Sequence, residues 1–422
     1  MKLLIVSKSD IKGGASRAAY RLYQGLNRIG INSQMLVQNK LSDDPSVLSP
    51  KTELVKKLME FRETFEALPV KIYKQRKTNT FWPQWVPDRI KSKVNQIAPD
   101  LINLHWISRG YIQIETLANL NKPLVWTFHD MWPFTGGCHY SQDCNLYMQS
   151  CGKCPQLQSQ NHWDLSRWVW HRKASAWEKL NLTIVTPSKW LAKCAQESSL
   201  FKDVRIEVIP YGLDIQKYQP IDRNLARQLL KLPQDKQLIL FGAMSATSDR
   251  RKGFHLLQPA LQSLSKSGWL DRAELVVLGS SGPKNEDNLS FPCHYLGQLS
   301  DDISLALVYA AADVFVAPSV EDNLPNTIME ALACGTPCVA FYIGGMPDMI
   351  EHQQNGYLAK PYQVEDLAQG IAWVLEDTER HQKLSHNARQ KVEQEFALEM
   401  QAHRYLSIFT DILQLNRQGQ LL

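Results

Sequence analysis

From Ala312 to Ala340 the chain reads as a strand, an acidic loop, a helix and a second strand in unbroken succession, and no other stretch restricts the fold as tightly. The apolar run from Ala312 to Ala317 predicts a buried strand. Pro325 suits a first helical turn and Gly335 suits the stop just past the last one. Cys338-Val339-Ala340 predicts the next strand. Asp322 and Glu330 lie eight positions apart across the loop-to-helix junction. The free N–H groups and the positive dipole end of such a helix suit a phosphate. Carboxylates repel phosphate, so their chemistry here is to accept hydrogen bonds from hydroxyls, as acidic residues do on ribose in dinucleotide folds. Phosphate and hydroxyls together describe a sugar nucleotide. The plainer reading, a strand–turn–helix with solvated acids, is disfavoured by the length and order of the pattern.

The same alternation runs through the whole chain. In the first half, strands are expected at Leu3–Val6, Ser33–Val37, Leu101–Leu104, Leu124–Phe128 and Thr183–Thr186, with a helix from Ser16 towards Leu26. In the second half they are expected at Leu238–Phe241, Leu275–Leu278, Val314–Ala317 and Pro337–Ala340, with a last helix from about Ala397 to Leu413. This is the pattern of doubly wound parallel sheets, whose ligands sit beyond the carboxyl ends of the strands. A length of 422 residues suits two or three domains with ample core. No run of 18 apolar residues exists, and Met1–Ser7 reads as a first strand and not as a signal peptide. The expected location is therefore the cytoplasm, where the eight cysteines are thiols or ligands.

Charge is unevenly placed. Between Lys51 and Lys93 eleven Lys and Arg face five Asp and Glu, a net +6 where the whole chain carries +5. Apolar and aromatic residues interleave with them, among them Leu54, Leu58, Phe61, Phe65, Leu68, Ile72, Phe81, Trp82 and Trp85. A basic, amphipathic, aromatic segment suits an anionic membrane surface, which would make the protein peripheral on the inner face of the cell membrane. The other reading is a solvated helical insert packed on its own domain. No nucleic-acid-binding motif accompanies the patch.

Smaller constellations stand at strand ends. Gly13-Gly14 follows the first strand and lets the backbone approach a phosphate or a sugar. Arg250-Arg251-Lys252-Gly253 opens a helix after Gly242, and an Arg and a Lys there can neutralise a diphosphate. The plain alternative is an exposed basic turn. His129-Asp130 can orient a sugar or assist a proton. His105-Trp106 sits likewise after a strand and could line an acceptor, although a hydrogen-bonded structural His105 is an equal reading. Cys138, Cys144, Cys151 and Cys154 lie close in sequence, the last two as Cys-x-x-Cys. Four thiolates suit a closed structural zinc site, with His139 able to replace one thiol; free thiols or a redox pair are the alternatives. Cys194, Cys293, Cys334 and Cys338 read as small core residues.

Pro318–Pro337 resembles the signature of the retaining GT-B glycosyltransferases of family 4, in which Glu, seven residues and Glu open the donor-site helix. Cys338-Val339-Ala340 with the loop Gly344-Gly345-Met346-Pro347-Asp348 resembles a bacterial exopolysaccharide, colanic-acid-type branch of it, and Val208–Asp214 resembles the family's interdomain passage. Asp322 occupies the first acidic slot, one methylene shorter than the usual Glu. The resemblance implies an α/β GT-B fold: two facing Rossmann-like doubly wound domains with an interdomain cleft. Residues 1–205 would bind the acceptor, 206–395 the nucleotide sugar, and 396–422 would cross back to the first domain. It assigns Lys252 to the donor diphosphate, with Arg251 replacing the Arg that much of the family carries where this chain has Ala243. Asn323, Leu324 and Asn326 would form the helix N-terminus at the donor, Glu330 would hold ribose hydroxyls and Asp322 a sugar hydroxyl. Gly13 and Gly14 would form the glycine loop. His129 would stand near the reacting end of the donor sugar, with Asp130 supporting it or touching the acceptor.

The resemblance further implies a retaining, metal-independent transfer of a hexose from a GDP- or UDP-sugar to a saccharide or lipid-linked saccharide, in exopolysaccharide or other surface-glycan synthesis. Attack would come from the face of the leaving phosphate, which takes the proton. No cofactor is required, and the chain has no Asp-x-Asp pair to hold a divalent ion. Other classes that could share the fold are a sugar-nucleotide epimerase, a phosphorylase and a non-catalytic carbohydrate-binding protein.

Overall fold

The computed structural model describes residues 1–50, 61–77, 80–242, 249–279 and 290–418. The chain divides into two compact units: Met1–Pro210 together with the segment from Gln401 onward, and Tyr211–Met400. In the first, β1 (Leu3–Ser9), β2 (Ser33–Asn39), β3 (Val47–Leu48), β4 (Leu101–Leu104), β5 (Leu124–Thr127), β6 (Leu182–Thr186) and β7 (Ile206–Val208) form one sheet in the order β3-β2-β1-β4-β5-β6-β7. In the second, β8 (Gln237–Gly242), β9 (Ala273–Leu278), β10 (Cys293–Tyr295), β11 (Val314–Ala317), β12 (Cys338–Phe341) and β13 (Gly356–Ala359) run β10-β9-β8-β11-β12-β13. Every pairing is parallel. Each order reverses beside the unit's first strand, between β1 and β4 and between β8 and β11, and a crevice for ligands opens at such a reversal. Both units are therefore Rossmann-like, as the alternation implies.

The strands are apolar because both faces are covered. All seven residues of β1 are buried. Side chains alternate along a strand, so Leu4 and Val6 join the core with Ile102, Leu104 and Trp126. Leu3 and Ile5 join the opposite one with Leu22, Leu26, Val125 and the helix residues Tyr405, Phe409 and Ile412. Full burial of one such aliphatic side chain stabilises by roughly 2 kcal/mol. The last helix, Leu398–Arg417, thus starts in the second unit and closes one face of the first sheet.

The first division falls at 210/211 and not 205/206 because β7 adds to the first sheet beside β6, and the second falls at 400/401 and not 395/396, with Ala397 and Leu398 still paired to Leu213 of the second unit. Strands β3, β7, β10 and β13 have no counterpart in the sequence reading. They are two to four residues long and stand at the sheet edges, where their neighbours decide the pairing.

The basic segment resolves into two parts where it is described; Lys51, Glu53, Leu54, Lys56, Lys57 and Leu58 lie outside the described residues. Phe81 is 1% exposed and packs with Val70, Cys154 and Leu157, and Trp82 packs on the first core. Those aromatics belong to the domain and not to an outer surface. Residues 61–66 and Leu68–Lys71 are helical, and there the apolar side faces out. Among the described residues no helix is long and apolar enough to cross a membrane.

Candidate functional site

At the β8/β11 reversal of the second unit, three loops meet. The turn Arg250–Lys252 follows β8, the acidic loop follows β11, and the Gly344 loop follows β12. Gly253 has φ +76, and a Cβ there would stand 1.7 Å from the Pro318 carbonyl oxygen. Gly344 has φ +51, and a Cβ there would stand 2.0 Å from the Asp322 carbonyl oxygen. Only glycine allows these approaches and these left-handed conformations together. The Gly345 N–H then donates to the Asp322 carbonyl at 3.2 Å.

The approach brings charges together. Lys252 Nζ donates to Asp322 Oδ2 at 2.6 Å, and Arg251 Nη1 stands 3.4 Å from the same oxygen. The Asn323 N–H donates to Asp322 Oδ1 at 3.1 Å, and Arg251 Nη1 donates to the Glu321 carbonyl at 3.1 Å. Burial pushes the Asp322 carboxyl up, but the Lys252 ammonium and the Arg251 guanidinium outweigh it and hold its pKa below the ordinary range. The first acid is thus an ionised carboxylate already carrying two cations. A phosphate entering here meets both cations with the carboxylate shared between them. The helix Asn326–Ala333 starts immediately after the loop, and Gly335, at φ +76, lies just past its end. Asn323 and Leu324 are buried, while Asn326 is half-buried at the first helical position.

Glu330, one turn further in, is 3% exposed and accepts from the Tyr309 hydroxyl at 3.0 Å. Burial and the Glu330 charge push the Tyr309 phenol far above its ordinary range, so it stays a donor. Tyr309 went unremarked in the sequence, because a tyrosine inside the apolar helix Asp302–Ala311 reads as plain core.

In the first unit the β1/β4 reversal carries the other candidates. The helix Gly14–Arg28 starts directly after Gly13, with no side-chain cap over its N-terminus. His129 and Asp130 follow β5 and are each 8% exposed. Asp130 Oδ2 accepts from Trp106 Nε1 at 2.9 Å and from His139 Nδ1 at 2.7 Å, and Oδ1 accepts from the Trp132 N–H at 2.8 Å. Burial raises its pKa, but His139 and these donors more than offset it, so Asp130 is an ionised anchor for Trp106 and His139. Burial lowers the His129 pKa to about 4, so its imidazole is neutral near pH 7.

Two expectations are corrected here. His105 does not line an acceptor: it is 3% exposed, with Nε2 on Asn103 Oδ1 at 2.9 Å and Nδ1 on His129 Nε2 at 2.9 Å. It stands behind His129 as a satisfied core histidine. His139 does not join the cysteines, because its ring turns to Asp130 and Trp106. Sequence reasoning also missed Lys8. It stands near the C-terminal end of β1, its Nζ donating to Glu63 and to the Arg109 carbonyl, while Glu63 also pairs with Arg109 at 3.2 Å. Burial lowers the Lys8 pKa to about 8 against the pull of Glu63. The visible signal is the polar series Ser7-Lys8-Ser9-Asp10 directly after an apolar strand start.

Cys138, Cys144, Cys151 and Cys154 line one cavity of about 20 Å³, and the Gly136 N–H donates to Cys151 Sγ at 3.2 Å. All four are free thiols. Burial pushes Cys138 far up, Cys151 to about 12 and Cys154 to about 11, so as thiols they hold their protons. Among the described residues no three His, Cys, Asp or Glu side chains stand gathered as a ligand set. The cavity has room for one small ion, but the thiols would have to close on it. Lys173 lies beside them, fully buried, its Nζ donating to the Trp132 and Thr135 carbonyls and lying 3.7 Å from the Trp132 ring centroid. Of the other cysteines, Cys194, Cys334 and Cys338 are buried, and Cys293 on the edge strand β10 is half-buried and packs against the core of the second unit.

A Rossmann-like pair of units, one with an acid–base cluster at its reversal, is the architecture of GT-B sugar-transferring enzymes, and the comparisons agree. The model described as Glycosyltransferase Family 4 matches residues 12–217, and that described as Glycosyl transferases group 1 matches residues 222–391. The chain thus carries a glycosyltransferase family 4 domain followed by a glycosyl transferases group 1 domain. It is 27% identical to sulfoquinovosyl transferase SQD2 of Arabidopsis thaliana over 72% of this chain and 55% of that one. It is 29% identical to N-acetyl-alpha-D-glucosaminyl L-malate synthase of Bacillus anthracis over 28% of this chain and 31% of that one. The matched stretches thus span about a third to a half of these relatives. Among solved structures, sucrose-phosphate synthase from Thermosynechococcus elongatus superposes with TM-score 0.68 at 20% identity, covering 97% of this chain and 98% of that one. Anabaena Alr3699/HepE, solved in complex with UDP and glucose, superposes with TM-score 0.65 at 19% identity, covering 97% of this chain and 100% of that one.

Proposed function

We propose that this protein transfers a hexose from a nucleoside-diphosphate sugar to a saccharide or lipid-linked saccharide acceptor, with retention at the anomeric carbon and without a divalent ion. The observation that carries the reading is the ionised Asp322, bound by Lys252 and Arg251 at the β8/β11 reversal, with the buried Glu330 in the helix after it. Lys252, Arg251 and the N-terminus of Asn326–Ala333 take the charge of the departing diphosphate, each well-placed donor contributing a few kcal/mol. Glu330 accepts from ribose hydroxyls, braced by the Tyr309 hydroxyl. Asp322 accepts from a sugar hydroxyl. Gly13-Gly14 and His129 serve the transferring sugar. A uridine donor is supported by Alr3699/HepE, whose solved complexes include one with UDP-glucose. Retention and the leaving phosphate's part in taking the proton rest on the family resemblance.

The acceptor is proposed to be membrane-borne, part of exopolysaccharide or other surface-glycan synthesis on the inner face of the cell membrane. Support comes from an inverted helix. Arg62 and Glu66 turn inward, Arg62 donating to the Gly110 carbonyl and Glu66 accepting from the Trp85 and Val86 N–H groups. Phe61, Phe65, Leu68 and Ile72 share the outer face and are 43–78% exposed. Lys71, Lys74 and Lys77 flank them, also exposed. An exposed apolar stripe beside cations suits anionic lipid. A structural zinc in the cysteine loop is proposed on the cavity that Cys138, Cys144, Cys151 and Cys154 share.

The test is turnover of UDP-glucose and GDP-mannose with EDTA present, then proton NMR of the released sugar or glycoside. Release of UDP with an α-anomeric first product supports the reading. A β-anomeric first product contradicts retention, and turnover abolished by EDTA and restored by magnesium contradicts metal independence.

A further inference from the structure

Two helices of the first unit, neither of which serves the donor, enclose a groove of about 380 Å³, within the range of small-molecule sites. The short helix Ile114–Asn119 contributes Glu115 and Asn119. The helix Leu165–Trp177 contributes Trp168, His171, Arg172 and Ser175, whose spacings of three and four put them on one face. The arrangement is fixed before any ligand arrives. Arg172 donates from Nε and from Nη2 to the Glu115 carboxylate, each at 2.7 Å. Its Nη1 donates to the Pro83 carbonyl at 2.8 Å and its Nη2 to the Gln84 carbonyl at 2.9 Å. The same guanidinium lies 4.5 Å from the Trp168 ring centroid, so the indole stacks on a cation that four hydrogen bonds hold still. Trp168 is nonetheless 44% exposed. Beside it His171 stacks with Trp163, the ring centroids 5.1 Å apart and the planes 8° from parallel, and Trp163 is 71% exposed.

We propose that this groove binds a stretch of uncharged saccharide chain, with Trp168 as the surface on which a sugar ring packs and Asn119, His171 and Ser175 as hydrogen-bond partners of its hydroxyls. A pyranose ring carries C–H bonds on its faces and hydroxyls around its rim. It therefore asks for a flat aromatic surface bordered by small polar groups and for no net charge. The groove has that composition: its one guanidinium and its one carboxylate neutralise each other, and Trp168, His171, Ser175 and Asn119 all stand exposed. The neutral pairing disfavours a phosphate or a nucleotide, which would need the cation unshared. Exposed tryptophans also suit a membrane surface, but there the apolar groups must project and the polar ones must stand back. Here the indole borders a groove among polar neighbours. The inference rests for its purpose on the reading of a saccharide acceptor: a further hold on the chain keeps its end at high local concentration between transfers. The groove's affinity for saccharide is a property of the protein without donor.

Calorimetric titration of linear hexasaccharides of glucose, galactose and mannose into the full chain, with no nucleotide present, reads the groove by itself. At least one of them should bind, and Trp168→Ala should weaken it about tenfold or more, the scale on which loss of a tryptophan anchor acts. Ser175→Arg should have the same effect by filling the groove. Both positions are exposed on a helix, and alanine and arginine are good helix formers, so the fold is kept. UDP affinity, a property of the second unit, should be unchanged in both variants. Absence of binding by all three hexasaccharides overturns the proposal. Binding that neither variant weakens overturns it as well, by placing the saccharide elsewhere. Sedimentation with phosphatidylglycerol vesicles that is lost in Trp168→Ala, with no hexasaccharide bound, would assign this face to a membrane instead. Hexasaccharide binding that both variants lose, in a protein that transfers from no nucleotide sugar, would leave the groove standing and sink the functional reading.

Discussion

Asp322 is one methylene shorter than the glutamate usual at its position, and its surroundings show how the shorter arm is used. It does not reach outward; Lys252 and Arg251 reach to it, and the loop carrying it is held against Gly253 and Gly344. The motif residues were legible in sequence because Asp322, Glu330, Lys252 and the glycines each need a specific chemistry or backbone. Tyr309, Lys8 and Asn103 were not, because a polar side chain within an apolar run declares no partner until the fold supplies one. His129 gives the prediction at this scale. Its folded pKa of about 4 lies below the 6.5 of the unfolded chain, so between those values the unfolded state binds more protons. Stability should therefore be full above pH 6.5 and decline as pH falls towards 4. His129 alone accounts for about 2 kcal/mol between pH 7 and pH 5. Urea unfolding at the two pH values reads this, and His129→Gln should reduce the loss. An equal loss in the variant would assign the effect elsewhere.

At the scale of elements, the sequence placed the central strands to within three residues at either end, since a strand buried on both faces leaves an apolar run bounded by polar turns. Edge strands escaped, because their neighbours and not an apolar run of their own decide their pairing. The basic segment was legible as amphipathic but not in which direction its apolar side points, because that depends on Arg62 and Glu66 finding buried partners. Replacing Phe61 and Phe65 by Ser, or reversing the charges of Lys71, Lys74, Arg76 and Lys77, should abolish sedimentation with anionic vesicles at low salt while leaving the fold intact. Unchanged sedimentation of both variants would rule the membrane out as a partner. In the cysteine loop, elemental analysis should find about one zinc per chain, lost on replacing Cys151 and Cys154 by Ser. Metal-free protein with four titratable thiols would show that the loop is held by packing and by the Lys173 hydrogen bonds alone.

For the whole molecule, the fold was legible as two successive alternating α/β halves, and the first division point shifted because β7 belongs to the first sheet. What the alternation could not show is which polar groups the strand reversals assemble, and that is where function is carried. The central claim is that the second unit binds a nucleoside diphosphate through Glu330 and the Lys252–Asp322 cluster. Calorimetric titration of UDP, GDP, ADP and dTDP into the wild type and into Glu330→Ala tests it directly. UDP should bind in the micromolar range, more tightly than the others, and the variant should lose roughly tenfold or more in affinity, the worth of hydrogen bonds to a charged group. Absence of binding by any of the four nucleotides, or equal binding by wild type and variant, would contradict it.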